Sequence, residues 1–331
     1  MKKRGVGIAL YNLPCGLGGA GDPSQAVIKL NPDGTFSLLI GCTDLGQGCL
    51  TIMQQLAAGE LDVPLDHVMV NNKADNFQQW CTGTFASRVT GIDASAVVLA
   101  CQDLKDKAKE LVAEQLEVAP DDLEFAAGRV SVVGYPEKGM GLADLGGLVH
   151  WGGFNLVGAA SFTFGPQTPA DPEDGTMKTV KAISWEAAVA EVEVDMETGQ
   201  VEVLKFVHAT EVGRAVNPML VRGQVNGSMA MGLGFALTED MDPYWPSKEF
   251  SVDSFEDYII PTAADMPLEN DYALLEYHSP NTAAGTKGFS GELGATPAAV
   301  LNAIHDATGV WVTSYPASPE RVLRAIKEAE G

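Results

Sequence analysis

The sequence contains no apolar run approaching the ~18 uninterrupted residues that a membrane-spanning helix requires. Its start, MKKRGVGIALYNLPCG, is basic, but the apolar stretch is short and broken by Asn12 and Pro14, so it does not read as a leader. The expected location is the cytoplasm. Cysteine is sparse: Cys15, Cys42, Cys49, Cys81 and Cys101 form an odd set with no Cys-x-x-Cys pair, against a disulfide scaffold, a structural zinc site or an iron–sulfur cluster. His67, His150, His208, His278 and His305 show no His-x-His or His-x-x-x-His spacing, which disfavours a metal held by the protein alone. Bases are few: 21 against 44 acids leave a net charge of -23, a field that repels phosphate backbones and anionic membranes. Nucleic acid is therefore not an expected partner.

Familiar catalytic signatures are missing too. There is no Gly-x-x-x-x-Gly-Lys-Ser/Thr loop, no Gly-x-Ser-x-Gly elbow, and no Gly-x-Gly-x-x-Gly following a strand with an acid ~20 residues on. The near miss CGLGGAGD, residues 15–22, precedes a strand and reads as a loop. Cys81 beside Trp80 invites a nucleophile reading, but a single thiol in a packed loop reads more simply as inert.

What the chain does have is length and punctuation. Its 331 residues, 46% of them apolar, suffice for two ordinary domains. QAVIKLNPDGTFSLLIGCTD carries apolar runs on both sides of Asn31-Pro32-Asp33-Gly34 and predicts a hairpin. TDLGQGCLTIMQQLAAGEL then passes through a glycine-flanked turn into Leu50, Met53, Leu56 and Ala57 at helical spacing. The same grammar recurs. Val189, Glu191 and Glu193 alternate before the Glu197-Thr198-Gly199 turn, and GRAVNPMLVRGQVNGSMAMGLGFALTED leads through Asn217-Pro218 into a second Gly-, Ala- and Met-rich helix. ASAVVLACQDLKDKAKELVAEQL predicts an amphipathic helix, and SPERVLRAIKEA a last one, with Ser318 as cap and Pro319 in its first turn. FGPQTPADPEDGTMKT concentrates Pro, Gly and Asp and reads as a connection. The expected fold is α+β, with one unit over residues 1–165, a connecting loop over 166–180 and a related unit over 181–331, each a mostly antiparallel sheet with packed helices.

Three polar, glycine-associated turns could hold a ligand: DLGQG (44–48), TGTFASRVTG (82–91) and RGQVNG (222–227). Each could equally be only a tight turn. Gln47 and Gln224, however, occupy parallel places in the two units. A side-chain amide offers both donor and acceptor to a heterocycle such as a pterin, while backbone N–H groups of a glycine turn at a helix start suit phosphate. Thr84, Ser87, Arg88 and Thr90 would add hydroxyls and a fixed positive charge. A different feature is GFSGELGATP, residues 288–297, with a single acid, Glu292, in a bare loop before a helix that begins near Thr296-Pro297. Glu292 reads either as a solvated acid favouring the helix start or, if enclosed, as a general base with a raised pKa.

Taken in order, DLGQGCLTIMQQLAAGELDVPLDHVMV, GTFASRVT, GRAVNPMLVRGQVNGSMAMGLGFALTED, GELGATPAAVLNAIHDATG and PASPERVL resemble the xanthine dehydrogenase/aldehyde oxidase family. The likeness is to the C-terminal half of its molybdopterin-binding subunit, and most of all to the medium molybdopterin subunits of nicotinate dehydrogenases. It implies a molybdenum hydroxylase subunit carrying molybdopterin, as the cytosine dinucleotide, with a sulfido or selenido ligand on molybdenum. Gly46, Gln47, Gly48 and Gln224 would bind the pterin; Thr84, Ala86, Ser87, Arg88, Val89 and Thr90 would line the dinucleotide or the metal, with Ala86 facing molybdenum. Glu292 would be the general base for water-derived hydroxylation of an N-heteroaromatic or aldehyde carbon. The resemblance also implies partners: a second molybdopterin subunit supplying the N-terminal half, a [2Fe-2S] subunit and an FAD subunit. Two departures stand out. KGFSGE has one residue more than the family's Lys-to-Glu spacing, and Cys81 stands where small or acidic residues are usual. Two other readings remain: a non-catalytic molybdopterin scaffold, and a reductive aryl-thioester dehydroxylase of the same family.

Overall fold

Strand β1 (Lys2–Pro14) opens the chain, followed by β2 (Ser24–Leu30), β3 (Phe36–Ile40), α1 (Cys49–Glu60), β4 (Val68–Asn71) and the long helix α2 (Val89–Leu116). Then come β5 (Leu123–Ala126), β6 (Arg129–Val132), β7 (Tyr135–Gly141), α3 (Leu142–Trp151) and β8 (Val157–Phe162). The second half holds β9 (Ile183–Asp195), β10 (Val201–Glu211), α4 (Pro218–Leu237), β11 (Glu269–Leu275), α5 (Ala295–Thr308) and α6 (Pro319–Glu330). This computed structural model describes residues 1–17, 21–73, 76, 78–164, 171–176, 181–241, 252, 254–289, 291 and 294–331. Most of the expected connecting loop, and Glu292 itself, lie outside the described residues.

The α+β expectation holds, and the repeated grammar becomes a repeated topology. One sheet has the order β8-β2-β3-β4 and the other β1-β9-β10-β11. In each, a central hairpin is antiparallel to its outer strand, and a helix returns the chain to a parallel strand on the far side: α1 leads to β4, α4 to β11. A small antiparallel sheet β5-β6-β7 is appended to the first unit. The expected hairpins are both present. At the first, Gly34 takes φ 86° and the Asp33 carboxylate accepts from the Thr35 N–H at 3.0 Å; at the second, Gly199 takes φ 76°. These left-handed positions are where a glycine removes the Cβ clash.

The N-terminal strand was not anticipated. β1 pairs along its whole length with β9, so the outer strand of the second sheet comes from the start of the chain, within residues that the sequence division assigns to the first unit. In the first sheet the same place is filled by β8, which follows α2 and α3. Both outer strands use glycine to admit a helix. A Cβ on Gly158 would lie 2.0 Å from the Ala100 carbonyl of α2, and Cβ atoms on Gly5 and Gly7 would lie 2.3 Å and 2.1 Å from carbonyls of α5. Real side chains never sit that close, so α2 and α5 rest directly on the strand backbones.

Period-2 burial defines the cores. Ala26, Ile28 and Leu30 of β2 and Phe36, Leu38 and Ile40 of β3 pack under α1 and α2. Ala188, Ala190, Val192 and Val194 of β9 pack under α4, α5 and α6. Each fully buried aliphatic or aromatic side chain contributes about 1.5–3 kcal/mol. Two local expectations need correction. RGQVNG is not a turn: residues 222–227 lie within α4, which already began at Pro218 behind the Asn217 cap, so the local preference of Gly and Asn yields to a continuous helix. Ser318 occupies the cap position of α6, but its side chain bonds the Glu320 carboxylate and caps no backbone N–H of the first turn. Among the described residues, no helix is long and apolar enough to cross a membrane.

Candidate functional site

The two glycine loops of the first unit each precede a helix. In the first, the Asp44 carboxylate accepts from the N–H groups of Gly46 at 2.8 Å, Gly48 at 3.1 Å and Leu50 at 3.3 Å. Gly46 and Gly48 take φ 108° and 84°, which lets the chain curl round that carboxylate before α1 starts. Gln47 folds back over the loop, its Oε1 accepting from the Leu45 N–H at 2.6 Å. Partial burial pushes the Asp44 carboxyl up, but the three N–H donors outweigh it and hold it below the usual carboxylate range. A depressed folded pKa adds stability that is complete above pH ~4 and lost as pH falls through the folded value. Asp44→Asn keeps an acceptor oxygen but removes the charge at the start of α1, and is accordingly expected to cost about 0.3–1 kcal/mol. In denaturant titrations the gap from wild type should be constant above pH ~4 and close below it.

In the second loop Ala86 and Ser87 stand consecutively in the left-handed region, at φ 48° and 51°. Non-glycine residues rarely adopt it, and such strain concentrates at binding sites. The loop is clamped from three sides. Thr84 Oγ1 donates to the Thr43 carbonyl and accepts the Thr43 N–H, each at 2.9 Å, joining it to the first loop. Gly16 N–H donates to the Ala86 carbonyl at 2.9 Å. Gly288 presses against Ser87 so closely that a Cβ would lie 1.8 Å from its carbonyl oxygen.

Arg88 holds this loop from beneath. Its side chain is fully buried, 3.4 Å from Asp22 and 3.1 Å from Asp93, and it donates to the carbonyls of Gly83 at 2.9 Å, Asp22 at 2.7 Å and Pro23 at 3.2 Å. Asp93 also accepts from Ser24 Oγ. Arg88 therefore does not present a free charge to a ligand; its guanidinium is spent on the turn. Cys81 lies 3.1 Å from the same guanidinium, and burial, followed by the Asp93 charge, pushes its thiol up. That environment suits a packing thiol rather than a nucleophile.

The second unit brings α4 against these loops. Asn217 accepts from the Leu220 N–H at 3.1 Å and donates to Gln55 of α1 at 3.2 Å. Leu220 rests on Gly48, where a Cβ would meet it at 2.8 Å. The segment after β11 contributes Lys287, whose ammonium is 2.7 Å from Glu211.

Between these parts runs a cleft of about 570 Å³. Gly46, Gln47, Thr84, Ser87, Arg88, Val89, Thr90 and Gln224 all line it, so eight of the expected residues from three distant segments converge. Gly48 and Ala86 are not among the lining residues, the one packed on Leu220 and the other exposed, with its carbonyl bonded to the Gly16 N–H. Glu292 lies outside the described residues, while its neighbour Gly291 lines the cleft. Sequence reasoning missed Arg214, Asn217, Ser228 and Lys287, which line it too. Asn217-Pro218 was read only as a helix start, and Arg214 and Ser228 carry no local signal.

A bulky, polar, anionic cofactor fits this cleft. The volume falls within the ~300–1,000 Å³ usual for such sites. Amides, hydroxyls and backbone N–H groups dominate the polar lining, with Arg214 and Lys287 supplying positive charge. Gln224 makes no side-chain hydrogen bond among the described residues, leaving an amide to offer. Among those residues no group of three His, Cys, Asp or Glu side chains could ligate a metal.

Comparison with known proteins accords with this donor set. The profile of the molybdopterin cofactor-binding domain matches residues 1–267. The chain is 31% identical over 307 residues to the nicotine 6-hydroxylase large subunit of Paenarthrobacter nicotinovorans, covering 91% of this chain and 36% of that one. It is 30% identical over 331 residues to a xanthine dehydrogenase molybdenum-binding subunit of Escherichia coli, covering 97% and 42%. The crystal structure of quinoline 2-oxidoreductase from Pseudomonas putida 86 superposes with a TM-score of 0.86 at 28% identity, over 99% of this chain and 42% of that one. The chain thus spans well under half the length of these relatives. With its profile matched over most of its length, the chain belongs to the molybdopterin cofactor-binding family, among proteins of the xanthine dehydrogenase molybdenum-binding subunit type.

Proposed function

We propose that this chain is the second half of a molybdenum hydroxylase's cofactor-binding subunit, holding molybdopterin cytosine dinucleotide between its units of residues 1–165 and 181–331. The observation that carries this reading is the convergence of Gln47, Thr84, Ser87, Thr90 and Gln224 on one cleft. When bound, the cofactor supplies two-electron redox chemistry at molybdenum.

The protein's part is binding, orientation and proton management. Gln224 would pair with the pterin, its amide meeting a donor and an acceptor, and Gln47 would join from the first unit by exchanging its long bond to the Thr43 carbonyl for one to the ligand. Ser87, Thr90 and the N–H groups at the start of α2 would receive the dinucleotide phosphates, favoured by the helix dipole. Gly46, Gly48, Ala86, Arg88 and Val89 would shape those two turns, Arg88 by holding its loop rather than by touching the ligand. Lys287, offset by Glu211, would neutralise negative charge without leaving an unpaired cation when the cleft is empty of anion. Glu292, in the loop that Gly291 brings to the cleft, would serve as general base for water-derived hydroxylation of an N-heteroaromatic or aldehyde carbon.

Electrons would leave through partner chains carrying [2Fe-2S] and FAD, and a further molybdopterin subunit would supply the remaining wall. The names of the matched relatives, among them a hydroxylase large subunit and a molybdenum-binding subunit, support this partition. The test is to purify the native complex through a tag on this chain and to measure molybdenum, iron, FAD and acid-released CMP. Stoichiometric molybdenum and CMP are expected, together with a co-purifying molybdopterin-type chain. A complex without molybdenum would overturn the reading and leave a scaffold role.

A further inference from the structure

The two sheets of the repeat differ in one respect that neither topology nor the cleft explains. On each, one face is covered by helices and the other is turned outward. In the first sheet the outward face is mixed, with Gln25, Lys29, Ser37 and Ser161 set among Val27, Leu39, Met69 and Ala159. In the second, large apolar side chains free of intervening polar residues gather at one end.

Strand register displays this as rows across the sheet. Ile8 stands beside Val189 and Val207; Leu10 beside Ala187, Ala209 and Ala273; and Trp185 beside Glu211 and Leu275. Leu10 is 79% exposed, Ile8 60% and Trp185 55%. Charge borders these rows: Asp271 ends the Ile8 row beside Val207, Glu211 lies in the Trp185 row, and beyond Ile8 Arg4 and Lys2 meet Glu193 and Lys205 meets Glu269. A contiguous apolar patch with a charged rim is the pattern of a buried interface, whereas scattered exposed side chains would need no explanation.

The edge of the sheet excludes one mode of binding. At β1 the Val6 N–H donates to Asp306 at 2.8 Å and the Ile8 carbonyl accepts from Asn302 at 2.9 Å, both residues of α5. With those two groups occupied, strand addition at Val6 and Ile8 is disfavoured, and the face itself offers the larger apolar surface.

We propose that the outward face of the second sheet, centred on Ile8, Leu10 and Trp185, is the docking surface for the complementary molybdopterin polypeptide. This rests on the reading that the chain is one half of a cofactor-binding subunit. Two observations select that occupant. Quinoline 2-oxidoreductase carries this fold over 42% of its chain, so more than half of that polypeptide has to sit against or beside it. The patch also ends beside the cleft: Glu211, in the row of Trp185 and Leu275, bonds to Lys287 of the cleft lining at 2.7 Å. A polypeptide seated on the face therefore reaches the open side of the cofactor site.

The test uses the tagged full chain in its native complex, with the photo-reactive residue p-benzoylphenylalanine in place of Leu10 and, as a control, in place of Trp151, which is 87% exposed on α3. The expected product is a covalent adduct from position 10, identified by mass spectrometry, with the molybdopterin-type partner and not from position 151. In parallel, Leu10→Lys should lower recovery of that partner at least ~tenfold, and Leu10→Ala less. Leu10 is too exposed for either change to disturb folding. Adducts from position 10 to a second copy of this chain or to an iron–sulfur or flavin chain would overturn the assignment, as would normal recovery with Leu10→Lys. Molybdenum measured in the same complex keeps the two readings apart. An adduct in a molybdenum-free complex leaves the docking surface standing and removes the hydroxylase reading. A molybdenum-replete complex without the adduct does the reverse.

Discussion

Arg88→Met is expected to destabilise the protein by about 3–5 kcal/mol, the cost of removing one partner from a buried ion pair. The substitution keeps much of the side-chain length but leaves Asp22 and Asp93 without their cation and the carbonyls of Gly83 and Asp22 without their donor, while that of Pro23 keeps Thr82 Oγ1 at 3.0 Å. Replacement by lysine should recover only part, because one ammonium cannot span the carbonyls of Gly83, Asp22 and Pro23 as a guanidinium does. The loss should depend on pH in a definite direction. Burial already pushes the Asp93 carboxyl up, against the lowering effect of Arg88; without Arg88 it moves further up. A carboxyl with a raised folded pKa penalises the folded state above that value, and the penalty is relieved as pH falls through it. The deficit of Arg88→Met should therefore be largest at neutral pH and narrow on acidification, and Arg88→Met combined with Asp93→Asn should regain part of the loss at pH 7. Chemical denaturation at several pH values reads all of this. A pH-independent deficit below 1 kcal/mol would show that the network is solvated after all.

The same arginine illustrates what the sequence conveys and what it withholds. Helix starts and hairpins are legible because their chemistry is local: Asp33-Gly34 closes one hairpin, Gly199 the other, and Asn217-Pro218 opens α4. Gln47, Thr84, Ser87, Thr90 and Gln224 could be singled out because amides, hydroxyls and glycine turns recur in an order that resembles a known family. Arg88 was read as a charge for the ligand because its pairing depends on the fold: Asp93, five residues on, reaches it only through the turn at the start of α2, and Asp22, 66 residues earlier, only through the tertiary structure. β1 escaped notice for a similar reason. Its partner β9 is far along the chain, and its glycines, which depress strand propensity, are there to let α5 lie against the backbone. RGQVNG misled in the opposite sense, since glycines that mark turns elsewhere stand within α4.

Glu292→Gln is the substitution expected to affect turnover most, lowering it about 10²- to 10⁴-fold, the usual contribution of a positioned general base. Glutamine preserves size and hydrogen bonding but cannot take a proton at neutral pH. Molybdenum and CMP content should be unchanged, because the residues proposed to hold the cofactor are those of the two loops of the first unit, α4 and Lys287, none of which the substitution alters. Loss of molybdenum along with activity would instead assign Glu292 a part in cofactor retention. The pH profile adds a second axis: turnover of the wild type should fall on acidification as the base becomes protonated, whereas the residual rate of Glu292→Gln should lose that acidic limb. The loop's extra residue can be tested on the same footing. Deleting Ser290 restores the family's Lys-to-Glu spacing in KGFSGE; if Glu292 is the base at its present reach, the deletion should lower turnover with molybdenum retained. Activity that survives Glu292→Gln at the wild-type level would return the residue to the role of an ordinary acid before α5 and move the search for a base to the complementary polypeptide.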